Sequence, residues 1–372
     1  MSNTISQNAL FDVAARFQIG GTLDRVEPFG SGHINDTFLV QSVGEGVQLS
    51  VLQRINPMVF PDAAKVMRNV RLITESLSNV PMGEGRECLR LIPTTSGGYS
   101  FEDADGATWR MYHFVESSVS HDTAASPSVA REAARAFGVF QRTLMDFDAG
   151  QLVETLPDFH NTPARYRQLL DAAQRNPLGR LAQCLDEFNF IRARSESLDC
   201  LVRLQEKGAA PVRVTHNDTK INNVLLDMVT GAWKCVIDLD TVMPGLSLYD
   251  FGDLVRTATA TAPEDETDLT KMDVDLSLFE AVAMGYVEEV GVRLTPAEQE
   301  YLVESGRIIT LETAMRFLGD YLNGDVYFRV HRPNHNLERC RAQLALVERI
   351  EERRGELQRI VESALHDSRR SR

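Results

Sequence analysis

Three side chains in this sequence have the types and spacing needed to move a phosphoryl group. Asp218 and Asn223 lie in Thr215-His216-Asn217-Asp218-Thr219-Lys220-Ile221-Asn222-Asn223, and Asp238 follows in Ile237-Asp238-Leu239-Asp240. Transfer from ATP needs a carboxylate that positions and deprotonates the attacking hydroxyl. It also needs hard oxygen ligands for the Mg²⁺ that bridges the phosphates. Asp218 suits the first task as catalytic base, and Asn223 and Asp238 suit the second as metal ligands. Two apolar runs, Val224-Leu225-Leu226 and Trp233-Lys234-Cys235-Val236-Ile237, flank a turn at Thr230-Gly231. A hairpin there would bring all three residues together. The plainer reading makes Asp218 the start of a turn, Asn223 its cap and Asp238 a surface acid. Against it, acids and an amide packed among strand residues are costly without cations or other partners.

Two weaker signals come earlier in the chain. Gly30-Ser31-Gly32-His33-Ile34-Asn35 lies between two predicted strands. Gly30 and Gly32 would let the backbone approach nucleotide phosphates, although an ordinary hairpin explains them equally well. A strand rather than a helix follows, so this is not a dinucleotide fingerprint, and no GxxxxGK[ST] loop is present. The strand Val51-Leu52-Gln53-Arg54-Ile55 offers Arg54 where protein kinases carry a lysine. Glu75, on the following helix, could pair with it; otherwise both are solvated surface charges. No GxSxG supports a serine nucleophile, and His113, His121, His160, His331 and His335 are dispersed along the chain.

The elements that must position these groups fall into two parts. Strand signals over residues 22–55, a helix over 62–77 capped by Asp62, and further strands over 90–115 predict a small sheet with one helix. Hairpin turns are expected at Gly44–Gly46, Gly97-Gly98 and Asp105-Gly106. Beyond it the chain reads as helical at 126–145, with Ser126 as N-cap and Pro127 first in the helix. Helices follow at 164–175, 180–207, 274–290, 296–322 and 337–365, with a frayed tail from Asp367. The hairpin region 212–240 interrupts them. The fold class is therefore α+β. The expected domains are 1–115, a nucleotide-binding sheet with one helix, and 116–372, carrying the catalytic hairpin and a helical substrate-binding part.

Composition sets outer limits. The chain has 372 residues and a net charge of -14, from 39 basic and 53 acidic residues. Nucleic acid is not the expected partner, because phosphate backbones need clustered cations. No secretory signal and no membrane helix are visible. The five cysteines are scattered and odd in number, as for reduced thiols in a cytoplasmic protein.

With these segments in view, the sequence resembles the aminoglycoside phosphotransferase and choline kinase superfamily over residues 22–330, and within it the N-acetylhexosamine 1-kinases. The resemblance is carried by Gly30 to Phe38, Leu52 to Asn56, Thr215 to Leu225, Val236 to Gly245, Tyr249-Asp250-Phe251-Gly252-Asp253 and Arg316 to Phe328. It implies a bilobal protein-kinase-like fold, with a small antiparallel-sheet N-lobe and a larger helical C-lobe. It implies ATP-dependent phosphorylation of the anomeric hydroxyl of N-acetylglucosamine or N-acetylgalactosamine, by a cytoplasmic monomer using ATP and Mg²⁺ in carbohydrate metabolism. His33, Asn35, Lys220, Asp240, Thr241, Arg316 and Tyr327 fall where sugar-contacting groups are expected. The lysine of the kinase strand is absent, so Arg54 or another group must meet the α and β phosphates. The alternatives are a kinase of the same superfamily acting on an aminoglycoside, choline or another sugar, and a catalytically dead nucleotide-binding protein. The last would be expected to lack Asp218, Asn223 or Asp238.

Overall fold

The computed structural model describes residues 5–30 and 34–370. The chain divides into two compact units, Met1–Ser118 with Leu152–Thr155, and Val119–Gln151 with Leu156–Arg372. The main division falls at Ser118 rather than 115. The distant segment 152–155 joins the first unit through buried Asn69. Its side-chain nitrogen donates to the Val153 carbonyl at 2.8 Å, and its oxygen accepts from the Val153 amide at 3.0 Å.

The first unit opens with α1 (Gln7–Ala14), which the sequence reading did not anticipate. An antiparallel sheet follows: β1 (Thr22–Pro28), β2 (Asp36–Val43), β3 (Val47–Arg54), β4 (Phe101–Glu102) and β5 (Thr108–His113), in the order β1-β2-β3-β5-β4. Period-two alternation buries Phe38 and Val40 of β2 with Val26, Leu52, Trp109 and Met111 in one core, against Leu10 and Val13 of α1. The helix α2 (Ala63–Ser78) begins where expected, with Asp62 accepting from the Lys65 amide. Strands over 90–100 do not form. Leu91 and Thr94 make only isolated bridges, to Tyr112 and Phe17. Pro93 cannot donate to a ladder, and the Thr94 side chain turns back to accept from the Gly98 amide.

A two-residue strand, β6 (Ser118–Val119), lies at the division. The second unit then runs α3 (Pro127–Leu144), α4 (Thr162–Arg175), α5 (Leu185–Ala193) and α6 (Cys200–Glu206). Next come β7 (Arg213–Thr215), β8 (Val224–Asp227), β9 (Trp233–Val236), β10 (Met243–Gly245) and α7 (Ser247–Ala258). It ends with α8 (Leu276–Val290), α9 (Pro296–Glu300), α10 (Leu302–Asn323), α11 (His335–Glu352) and α12 (Arg354–Arg370). The helix expected over 180–207 is broken between Ala193 and Cys200. Those expected over 296–322 and 337–365 are each split in two, and α12 continues through Arg370 rather than fraying at Asp367.

The central element is α10, packed against α4, α7 and α11. Its Leu311, Phe317, Leu318 and Leu322 share a core with Leu169, Ile191, Leu344 and Val347. The sequence reading places no helix at α7, whose polar stripe of Ser247, Asp250, Asp253 and Arg256 is buried with the rest: eleven of its twelve residues are inside. It approaches α10 closely: a Cβ on Gly252 would lie 2.6 Å from the Ser305 carbonyl oxygen. None of the five cysteines forms a disulfide. No described helix is long and apolar enough to cross a membrane.

Candidate active site

Register explains how distant residues converge in the second unit. In the β8–β9 hairpin Val224 pairs with Val236. The ladder continues one step outward, where the Ile237 amide donates to the Asn223 carbonyl at 2.9 Å. Asn223 and Asp238 therefore both stand at the open end of one hairpin. Asp238 has φ 60°, a left-handed backbone that non-glycine residues rarely adopt. Such strain costs about 1–3 kcal/mol and persists only where surrounding structure enforces it.

The other half is fixed by β7 and β10, which pair Thr215 with Met243. This brings the turn after β7 against the residues before β10. The Thr241 hydroxyl donates to the His216 carbonyl at 2.7 Å, and the Asn217 amide nitrogen donates to the Thr241 carbonyl at 2.8 Å. His216 Nε2 lies 3.0 Å from the Ile237 carbonyl, and its ring packs edge-on against Phe137 and Phe140. Asn217 has φ 64°, so the backbone reverses immediately before Asp218.

Asp250 of α7 ties this turn down. Its carboxylate accepts from the His216 amide at 3.0 Å, the Asn217 amide at 2.8 Å and Gln141 Nε2 at 2.6 Å. The Thr219 hydroxyl donates to its carbonyl. Burial pushes the Asp250 carboxyl above the usual carboxylate range, against those donors and His216. Asp250 lies in one of the segments that carry the resemblance, but nothing local in the sequence links it to residues 34 positions earlier.

Asp218 projects from the clamped turn. Lys220 Nζ lies 2.9 Å from its Oδ1, and Asn223 Nδ2 donates to its Oδ2 at 3.1 Å and to its carbonyl at 2.8 Å. Burial raises the Asp218 carboxyl, but Lys220, His216 and Arg256 more than offset this, so it stays below the usual range. The Lys220 ammonium is held up by Asp218. Arg256, buried on α7, is a cation that the sequence reading missed. It is paired to Asp253 Oδ1 and Glu264 Oε1 at 2.8 and 2.7 Å. Asp253 Oδ2 is buried with no hydrogen-bond partner among the described residues.

The donor set fits Mg²⁺. Asn223 spends its amide N–H groups on Asp218, which leaves the amide oxygen as an acceptor. Among the described residues no cluster of three or more His, Cys, Asp or Glu side chains could hold a metal alone. One amide and one carboxylate suit an ion whose other positions go to phosphate oxygens and water.

Asp240 is buried beside Thr241 in the same turn. Arg316 and Tyr327 lie instead in a cleft of about 300 Å³, with Phe159, Arg165, Asp320 and Phe328 among its lining. Asp320 builds that cleft by accepting from the amides of Val326, Tyr327 and Phe328 at 2.8–3.0 Å, which folds the loop after α10 back over the helix. The cleft adjoins the turn that carries Asp218 through His160. One ring nitrogen lies 2.8 Å from Glu312 Oε1 and the other 3.3 Å from the Asn217 carbonyl.

The first unit holds the remaining candidates. Gly30 has φ 77°, and Gly32 and His33 lie outside the described residues. Asn35 accepts from the Asn56 amide through its side-chain oxygen at 3.0 Å. The expected Arg54–Glu75 pair does not form. Arg54 donates to Asp36, its β2 neighbour in register, at 2.8 Å, and Glu75 pairs with Arg71 one helical turn away at 3.2 Å. A cation closer to the sheet interior is Arg110 on β5, 1% exposed, which donates to Gln53 Oε1 at 2.8 and 3.0 Å. Nothing in its strand sequence distinguished it from a surface arginine.

A family model described as the phosphotransferase enzyme family matches residues 25–283. Among solved structures, an aminoglycoside phosphotransferase from Alicyclobacillus acidocaldarius is 15% identical with a TM-score of 0.62, covering 98% of each chain. An amicoumacin kinase in complex with AMP-PNP and Ca²⁺ is 11% identical with a TM-score of 0.57, covering 94% of each chain. An ethanolamine kinase from Plasmodium vivax is 13% identical with a TM-score of 0.53, covering 87% of this chain and 82% of that one. The fold is thus protein-kinase-like, with an antiparallel-sheet N-terminal region and a helical C-terminal region. The chain belongs to the phosphotransferase enzyme family, whose fold relatives include small-molecule kinases.

Proposed function

We propose that the chain is an ATP-dependent kinase that phosphorylates the anomeric hydroxyl of N-acetylhexosamines, GlcNAc or GalNAc, to give the sugar 1-phosphate. The observation that carries the kinase part is the carboxylate of Asp218, held between Lys220 and Asn223 at the mouth of the hairpin that also presents Asp238. The sugar part is supported by the resemblance over residues 22–330 and by the cleft lined by Arg316 and Tyr327. An aromatic wall with a few directed polar groups is a common way to orient a small substrate.

In this reading Asp218 accepts the proton of the acceptor hydroxyl and aims its oxygen in line with the γ-phosphate. Two of the carboxylate's roughly four lone-pair sites are engaged by Lys220 and Asn223, so others remain for the hydroxyl. Lys220 keeps the base ionised, and Asp250 holds the turn so that little reorganisation accompanies transfer. Asn223 and Asp238 would hold Mg²⁺, which when bound offsets charge on the phosphates. His33, Asn35, Asp240 and Thr241 are assigned to sugar contacts. Thr241 would do so while its hydroxyl clamps His216. Gly30, Gly32, Arg54 and Glu75 are assigned to the nucleotide, Arg54 and Glu75 acting separately.

The test is an ADP-release assay over a panel of hexosamines, other sugars, choline and aminoglycosides. The expected result is turnover with N-acetylhexosamines and a product lacking a reducing end. Turnover with choline or an aminoglycoside, and with no sugar, would overturn the proposal while leaving the kinase chemistry intact.

A further inference from the structure

Most inward-facing arginines of the second unit end on a carboxylate. Arg180 meets Asp325, Arg194 meets Glu351, Arg213 meets Glu298, and Arg307 meets Glu304, all within 3.1 Å. Arg165 and Arg316 break this pattern in a chain with 14 more acids than bases. The guanidinium of Arg316 has rings around it, with its carbon 4.8, 5.9 and 5.5 Å from the ring centres of Phe159, Tyr327 and Phe328. Among the described residues it has no hydrogen-bond acceptor and no ion-pair partner.

Arg165, on the facing helix α4, lies over the same Phe159 ring at 5.9 Å. Its N–H groups go to neutral oxygens, the Phe159 carbonyl at 3.1 and 3.2 Å and Gln168 Oε1 at 3.1 Å. Burial and the neighbouring Arg316 both hold its pKa down, against Glu312, Tyr327 and Asp158. The nearby carboxylates are committed elsewhere. Asp320 accepts three backbone amides and Asn336 Nδ2. Glu312 accepts from His160 and Thr162, and exposed Asp158 from Asn161. Two guanidiniums sharing one aromatic ring, neither engaged in an ion pair among the described residues, form a ready receptor for an anionic oxygen group, since a planar fork of donors matches carboxylate and phosphate alike.

We propose that the Arg165–Arg316 pair binds an anionic group, carboxylate or phosphate, carried by the acceptor at the end remote from the hydroxyl that is phosphorylated. This rests on the proposed sugar-kinase reading and narrows it: the preferred acceptors are N-acetylhexosamines bearing a negative charge. Geometry supports the placement. Phe159 adjoins His160, which contacts the Asn217 carbonyl beside Asp218, and Arg316 lies one turn beyond Glu312 on α10, a rise of about 5.4 Å. The pair therefore lines the cleft that adjoins, through His160, the turn carrying the base. The same two cations repel a polycationic acceptor such as an aminoglycoside.

The test compares GlcNAc with its 6-carboxylate counterpart, N-acetylglucosaminuronic acid, and with GlcNAc 6-phosphate. Each is read by ADP release and by calorimetric binding to the intact protein and to Arg165→Gln and Arg316→Gln. Thermal melting checks that each variant is folded. A charge-assisted fork predicts that one or both anionic sugars bind at least about tenfold tighter than GlcNAc. The preference should shrink as salt rises. Arg165→Gln should abolish it, mainly through KM. Whichever anionic sugar is preferred identifies carboxylate or phosphate as the group read. Equal binding of neutral and anionic sugars, or a preference untouched by Arg165→Gln in folded protein, would overturn the proposal. Failure of the sugar-kinase reading shows separately, as turnover of choline or an aminoglycoside with no sugar turned over. The calorimetric comparison still decides the anion site in that case.

Discussion

Around Asp218 most polar groups of the turn end on partners that the chain itself supplies: the His216 and Asn217 amides on Asp250, Thr241 on His216, Lys220 and Asn223 on Asp218. Around Arg316, one cleft away, the guanidinium meets only rings. The first region is closed and preorganised, as transfer chemistry requires, because donors already in place cost nothing to rearrange during the reaction. The second is left electrostatically incomplete, as recognition requires, because its missing partner is expected to arrive with the ligand.

The sharpest way to break the first region is at its centre. Asp218→Asn keeps the shape and removes the base. Turnover should fall by about 10²–10⁴-fold or more with ATP binding retained, measured by ADP release and nucleotide titration. Full activity would remove Asp218 from the mechanism. Asp238→Ala should weaken Mg·ATP use next most, seen as a raised Mg²⁺ requirement in the same assay. An unchanged Mg²⁺ dependence would count against its role.

The clamp is tested by stability rather than rate. Asp250→Ala strands two buried backbone amides and the Gln141 side chain, so urea unfolding should lose about 2–4 kcal/mol. A loss under about 0.5 kcal/mol would mean that the turn holds itself.

Glu312 joins the two regions, since His160 links it to Asn217 and Arg316 is one turn away. Burial pushes its carboxyl up, but His160, Thr162 and Arg165 more than offset this, so it lies below its ordinary value of 4.5. A depressed acid contributes stability above its unfolded pKa and loses it as pH falls through the folded one. Glu312→Gln should therefore cost about 3 kcal/mol at pH 7. The gap to the parent protein should narrow only below pH 4.5. A constant gap down to pH 2 would show that the charge is not the stabilising feature.

The smallest effect is expected in the first unit. Glu75 faces solvent with Arg71, so Glu75→Gln should change stability by about 0.5 kcal/mol or less. A raised KM for ATP in that variant would instead restore the nucleotide role that the sequence suggested.

The sequence by itself determined the chemistry-bearing hairpin. Asp218, Asn223 and Asp238 are legible because their spacing is set by local pairing, and β8 and β9 announce themselves by apolar runs around Thr230-Gly231. The caps at Asp62 and Ser126 are legible for the same reason, as side chains bonding amides three residues on. Tertiary structure decided what depends on burial and on distant partners. The polar stripe of α7 would face water in an ordinary helix and is buried here, so nothing local sets Asp250 and Arg256 beside Asp218. Arg54 follows its strand neighbour Asp36 rather than Glu75, because register outranks the expectation of a helix partner. That Arg165 and Arg316 make no ion pair among the described residues is a property of three segments meeting at Phe159, and a list of charges along a chain does not contain it.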